Sequence, residues 1–263
     1  MAKTKSNILL RTATALIMAP LVIAGLYFGY PYVVLMLLSV GALLSWEWST
    51  MVANKRPSVY AVVYTASVAV ALMLNSWLGI CIMLLFATLL VWFKAKDEEH
   101  RRLLTLGVPY ITVGIGSLMW IYYITAFHIL CFVLIIWATD IGGYVVGKSV
   151  KGPKLAPKIS PNKTWSGLIG GVVFSVAASV VFSHLFSLHA NALFYAVFGG
   201  VIAVIAQIGD LVESYIKRSI GIKDSSNLIP GHGGVFDRVD GLIFTAPLVA
   251  LWFKFGLMLF EVR

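Results

Sequence analysis

Residues 192–217 read A-L-F-Y-A-V-F-G-G-V-I-A-V-I-A-Q-I-G-D-L-V-E-S-Y-I-K, 18 residues without a charge and then Asp210, Glu213 and Lys217. An apolar run of that length approaches the roughly 20 residues a helix needs to cross a bilayer core of about 30 Å. Runs of similar character recur from end to end of the 263-residue chain, which is 60% hydrophobic and 12% charged. A water-soluble domain carries about a quarter charged residues. Barrel strands alternate polar and apolar over about ten residues, and these runs do not. The fold expected is therefore all-α, a polytopic helical membrane protein.

Nine candidate spans follow, at 8–29, 31–52, 58–74, 77–93, 106–125, 127–147, 165–187, 192–217 and 241–261. The third and fourth are short enough to be one re-entrant pair. Lys3 and Lys5 ahead of the first span, with Arg11 in its first turn, also suit a signal peptide. The apolar run is too long for one and no clean small-x-small cleavage site follows, so a retained anchor is expected. Of the 20 Lys and Arg, 18 fall before or at the start of span 1 or in alternate connections, at 55–56, 94–102, 148–163 and 217–238; Lys254 and Arg263 are the exceptions. The positive-inside rule then puts the N-terminus and these loops in the cytosol. The net charge of +9 needs no nucleic acid to explain it; it marks topology and attracts anionic headgroups. Cys81 and Cys131 lie inside spans and read as small core residues, and no zinc spacing occurs.

The chain divides in character. Residues 1–125 hold five spans with Glu47 the one acid inside them, and read as scaffold. Residues 126–263 hold four spans, with cytosolic loops at 148–164 and 217–240, and read as the catalytic part. Of the 11 acids, Asp97, Glu98 and Glu99 read as a solvated loop cluster, and Glu47, between Trp46 and Trp48, as an interfacial residue among belt aromatics. Asp140 and Asp210 each lie about seven residues from the cytosolic end of a span, roughly 10 Å down the helix. An ionised Asp at mid-span costs roughly 2.5–3.5 kcal/mol, less near the interface. A structural ion pair or snorkelling is the alternative to a functional role for either.

Asp210, Glu213, Ser214 and Lys217 are spaced i, i+3, i+4, i+7, so one helix face carries all four. From Ser214 to Asp240 the chain packs seven charged side chains, His232 and four glycines into 27 residues. Gly233 and Gly234 let backbone N–H groups approach a phosphate, and Asp237 and Asp240 open the last span. Carboxylates without Cys or paired His favour a hard cation such as Mg²⁺, with waters and substrate phosphates completing its shell. Lys217, Arg218, Lys223 and Arg238 would meet the remaining phosphate charge. In the lysine-rich loop 148–164, Pro153, Pro157 and Pro161 forbid a regular helix. Ser160, Asn162 and Thr164 are candidate caps for the next span. Gly142–Ser149 fits the phosphate-loop pattern but lacks the strand that pattern requires, and reads as chance. The pairs Gly25/Gly29 and Gly167/Gly171 mark close helix packing or a dimer face.

The segment Ser214–Asp240 resembles the signature of the phosphatidate cytidylyltransferases, or CDP-diacylglycerol synthases, at Ser214, Lys217, Arg218, Lys223, Asp224, Pro230, His232, Gly233, Gly234, Asp237, Arg238 and Asp240. Ala138–Asp140, Leu155–Trp165 and the Gly209–Ser214 lead-in are similar to further blocks of that family, so the likeness covers spans 6 to 9. Ser166 stands where many relatives carry Glu, Ser226 where Gly is frequent, and Gly142 where Ala is common. The resemblance implies transfer of CMP from CTP to phosphatidate, with Mg²⁺ as cofactor, in a homodimer; the short chain without a targeting extension suggests a bacterial inner membrane, and the charge pattern an active site facing the cytosol. It implies metal binding by Asp210 and Asp237, with Asp140 and Asp240 as further candidates. Ser214, Lys217, Arg218 and His232 would face nucleotide or lipid phosphate, with Lys223, Gly233, Gly234, Arg238, Lys158, Asn162 and Lys163 lining the substrates. A transporter would string charges across the whole bilayer and repeat its broken helices in two halves; neither pattern is present. The Asp-Gly-x-x-Ala-Arg block of CDP-alcohol phosphatidyltransferases is absent as well.

Overall fold

The computed structural model describes residues 19–74, 76–124, 126–185, 192–229 and 233–259. Lys3, Lys5, Arg11, half of the first span, Pro230, Gly231, His232, Glu261 and Arg263 lie outside the described residues. The helices are α1 (Ala19–Phe28), α2 (Tyr32–Val52), α3 (Pro57–Met73), α4 (Trp77–Lys94), α5 (Arg101–Ile124), α6 (Ala126–Val150), α7 (Trp165–Leu185), α8 (Ala192–Ser219) and α9 (Phe236–Leu259). Six of them, α2 and α4 to α8, are long and apolar enough to cross a membrane. The third and fourth candidate spans are two separate helices: α3 begins with Pro57, and Ser76 caps α4 by accepting the Gly79 N–H at 3.2 Å.

Among the described residues the regular elements are helices save for one hairpin, which the three prolines alone did not announce. Strands β1 (Lys154–Ala156) and β2 (Ser160–Thr164) pair antiparallel, Lys154 opposite Thr164 and Ala156 opposite Ser160, with an irregular register between. Pro161 is tolerated because a two-stranded sheet has only edges, where a missing N–H costs no central ladder bond. Of the three candidate caps only Thr164 serves α7, accepting the Gly167 N–H at 3.1 Å; Ser160 and Asn162 belong to β2. The phosphate-loop lookalike at 142–149 lies wholly within α6, as its dismissal required.

Two compact units form. The first takes the described residues up to Met119 together with Ile222–Val239. Its buried core draws Leu44 and Trp48 from α2, Tyr64 and Val68 from α3, and Leu104 and Ile111 from α5. Trp48 donates its indole N–H to the Leu103 carbonyl at 3.1 Å, and the Tyr64 hydroxyl donates to the Leu104 carbonyl at 2.6 Å. Glu98 is not part of a solvated cluster. It is 7% exposed and accepts the Asn54 N–H at 2.8 Å, tying the connection after α2 to the one after α4.

The second unit takes Trp120–Gly221 and the described residues from Asp240 onward. Small residues bring its helices together. A Cβ on Gly167 would sit 2.9 Å from the Gly143 carbonyl oxygen, and one on Gly171 would sit 3.0 Å from that of Thr139. The Gly167/Gly171 pair therefore serves packing of α7 on α6. On the other side of α7, Ser175 and Ser179 donate to the Gly199 and Tyr195 carbonyls of α8 at 2.6 and 2.7 Å. Both cysteines are free thiols; Cys131 is buried, as expected of a core residue, whereas Cys81 on α4 is exposed.

Candidate active site

Helix α8 carries one half of the polar chemistry. It is continuous from Ala192 to Ser219, so the expected face bearing Asp210, Glu213, Ser214 and Lys217 exists. Lys217 Nζ lies 2.7 Å from Glu213 Oε2, with the two side chains only 9% and 3% exposed. One turn earlier, Asp210 Oδ2 receives Lys163 Nζ at 2.7 Å, both side chains about one-fifth exposed. Lys163 comes from β2, so the hairpin delivers a cation to a carboxylate of the helix. The hairpin is stitched to α7 at its base, where Trp165 N–H donates to the Pro153 carbonyl at 3.1 Å and the Ser166 hydroxyl bonds the Lys151 carbonyl. Ser166, where many relatives carry Glu, thus closes the loop rather than offering a charge.

Asp240 opens the part of α9 that belongs to this unit and lies within electrostatic reach of Asp210, Glu213 and Asp140. Gly241 lets Asp210 come close: a Cβ there would be 3.0 Å from Asp210 Oδ1. The second unit therefore gathers Asp140, Asp210, Glu213 and Asp240 with Lys163 and Lys217, and Ser214 stands half-buried on the same face of α8. Lys158 lies exposed in the hairpin turn, Asn162 exposed on β2, and Arg218 exposed at the end of α8.

The first unit holds the other half of the signature. Asp237 Oδ2 accepts the Gly234 N–H at 2.8 Å, the Ser225 N–H at 3.0 Å and the Ser225 hydroxyl at 3.1 Å. Gly233 adopts φ +82, a left-handed conformation that admits glycine readily. Lys223, Asp224 and Arg238 are exposed around this turn. What sequence reasoning missed is Glu47. It is fully buried, at 0% exposure, rather than facing solvent or lipid. Its Oε1 accepts from the Ser226 hydroxyl at 2.6 Å and the Val235 N–H at 2.9 Å; its Oε2 accepts from the Phe236 N–H at 2.6 Å and the Ser225 hydroxyl at 3.2 Å. Gly234 permits this approach, since a Cβ would come 2.6 Å from Glu47 Oε1 and closer still to the Ser225 hydroxyl. Phe236 adds a ring beside Trp48 and Tyr110, with centroids 5.4 and 5.8 Å away. The available signal was the general one that an acid within a span marks a site; its tryptophan neighbours disguised it.

Among the described residues no group of three His, Cys, Asp or Glu side chains could cage a metal ion by itself. The carboxylates present suit an ion that takes one or two protein oxygens and completes its shell from substrate, which is the habit of Mg²⁺.

The cytidylyltransferase family matches this chain over residues 9–255. Among curated relatives, a phosphatidate cytidylyltransferase of Brucella suis biovar 1 is 31% identical over 253 residues, 94% of this chain and 93% of the relative. A phosphatidate cytidylyltransferase of Rickettsia felis is 34% identical over 256 residues, 95% of this chain and 93% of the relative. Another, of Rickettsia bellii, is 39% identical over 176 residues, 64% of this chain and 75% of the relative. The match runs through both halves of the signature and nearly end to end, and the chain belongs to the cytidylyltransferase family.

Proposed function

We propose that this protein transfers CMP from CTP to phosphatidate, forming CDP-diacylglycerol and pyrophosphate, as a multi-pass enzyme of the inner membrane with its active site on the cytosolic side. One observation carries most weight: α8 and the hairpin bring Asp210, Lys163, Glu213 and Lys217 into paired contact at one end of apolar helices. Carboxylates interleaved with lysines at a membrane surface suit an anionic nucleotide and an anionic lipid.

A phosphate-monoester oxygen of phosphatidate attacks the α-phosphorus of CTP. The new bond is P–O to that phosphorus; the α–β bridging P–O bond breaks, and its electrons leave with pyrophosphate. The nucleophile has a second pKa of about 6 and is mostly dianionic at neutral pH, so no strong general base is needed. The obstacle is bringing two anions together. Lys217, held by Glu213, and Lys163, held by Asp210, are the proposed donors of charge-assisted bonds to phosphate oxygens. Arg218 in the second unit, and Arg238 and Lys223 in the first, are exposed cations proposed to meet the remaining phosphate charge. Asp210 and Asp237 are the proposed oxygen ligands of Mg²⁺, with Asp140 and Asp240 supporting. Bound there with CTP, the ion would offset charge on the triphosphate and on the leaving pyrophosphate. Ser214, Gly233, Gly234, His232, Lys158 and Asn162 complete the proposed substrate contacts, and nine spans, a cytosolic N-terminus and a homodimer complete the proposed architecture.

Purified protein in detergent, given CTP, Mg²⁺ and phosphatidate, should release pyrophosphate and form CDP-diacylglycerol. Asp210→Asn and Asp237→Asn should each lower kcat at least about 100-fold, as loss of a group acting on transition-state charge does. Full turnover in both variants removes the metal assignment; no turnover in the parent protein, across a panel of lipid phosphates, removes the function.

A further inference from the structure

Glu47 belongs to a half of the chain whose sequence showed no chemistry, yet it is fully buried and hydrogen-bonded through both of its oxygens. Four donors reach it, two backbone N–H groups and two hydroxyls, at 2.6–3.2 Å. A carboxylate has about four acceptor sites, so both oxygens are saturated. Burying such a group is costly, and for adhesion alone an apolar side chain would serve at least as well. What packing cannot supply is direction. Each of the four bonds fixes one atom of the segment that carries the signature.

The bonds fall at the two ends of that segment. Ser225 and Ser226 are held as it leaves the exposed Lys223–Asp224 turn, and Val235 and Phe236 as it enters α9. The N–H groups of Val235 and Phe236 are two of the donors that a helix start leaves without intrahelical partners. Glu47 therefore caps α9 from a different helix, and its negative charge sits where the dipole favours it. Ser225 ties this cap to Asp237: its hydroxyl is 3.2 Å from Glu47 Oε2 and 3.1 Å from Asp237 Oδ2. It has one hydrogen to give and two carboxylates competing for it, so a change at Glu47 is felt at Asp237.

We propose that Glu47 is a positioning residue for nucleotidyl transfer: from α2 it fixes both ends of the 225–236 segment and, through the Ser225 hydroxyl, the direction of the Asp237 carboxylate. The claim rests on the function proposed above only in giving Asp237 a part in the reaction.

The test uses the full chain in detergent, comparing Glu47→Gln, Ser226→Ala and the parent protein. Glutamine keeps the shape but turns an NH₂ group toward donors. Hydrogen–deuterium exchange of peptides covering 233–238, read without nucleotide or Mg²⁺, should be faster in Glu47→Gln by about tenfold or more, one pair of lost charge-assisted bonds being enough. In the folded, monodisperse fraction kcat should fall about 10–100-fold, the usual effect of losing a partner that orients a metal ligand. The KM for phosphatidate should stay within about twofold, since no group is lost that touches lipid. A merely adhesive residue would instead lower the melting temperature and loosen α2 and α3 while leaving kcat per folded molecule unchanged. If Glu47→Gln does not fold, Ser226→Ala decides: it removes one 2.6 Å bond without stranding a charge and should lower kcat about 2–10-fold with faster exchange in the same peptides. Parent-level kcat or parent-level exchange in the deciding variant overturns the proposal. A parent protein that turns over neither CTP nor phosphatidate overturns the function instead, and the exchange result still decides whether Glu47 holds the segment.

Discussion

At the scale of single residues, buried ionised side chains give the sharpest expectations. The Glu213–Lys217 pair is 2.7 Å long and almost wholly enclosed. Removing one partner takes the nearest counter-charge from the other while it stays buried, so Glu213→Gln and Lys217→Met should each destabilise the protein by about 3–5 kcal/mol. The double variant should lose less than the sum, because neither charge is then left alone. Denaturation in detergent measures all three, and strictly additive losses would show that the pair is not coupled. This pair was legible in the sequence because a helix places residues four apart on one face. The partners of Glu47 were not. They stand 178–189 positions away, and contacts at that separation leave no periodic trace in the chain. Glu98 misled for the same reason: its partner Asn54 is 44 residues distant, and three adjacent acids look solvated until a second loop covers one of them.

At the scale of elements, the spans were readable because bilayer thickness sets their length, and α4 begins at the expected residue 77. The hairpin was not, since its proline spacing rules out a helix without selecting a strand partner. Caps are a finer matter. Three residues could have capped α7, but only the one immediately before Trp165 has the reach, and Thr164 takes the Gly167 N–H. Thr164→Ala should therefore lower stability by about 1 kcal/mol, whereas Ser160→Ala should stay within about 0.5 kcal/mol. Melting temperatures in one detergent compare them, and equal shifts would deny Thr164 its special place. Gly171→Leu should cost more than Thr164→Ala, because even its first carbon would press on the Thr139 carbonyl and the remainder would wedge α6 from α7.

At the scale of the whole molecule, charge distribution is the legible quantity, since 18 of the 20 Lys and Arg obey one alternating rule. With Cys81 and Cys131 replaced by Ser, the variants Lys96→Cys, Lys151→Cys and Lys223→Cys should react with a membrane-impermeant maleimide in inverted vesicles and stay unmodified in right-side-out ones. Labelling from the opposite side would reverse the proposed orientation. What composition could not foretell is that Ile222–Val239, between two helices of the second unit, groups with the first. A contact map is a property of three dimensions, and the apolar scaffold gave no hint that one of its carboxylates would claim that segment. The lone outward thiol of α4 has a practical corollary. Cys131 is shielded and Cys81 is not, so the unaltered polypeptide already carries a single attachment point for a nitroxide. Dipolar spectroscopy on that tag would report the spacing between two associated copies without any engineered handle, and an isolated copy would give no echo modulation at all.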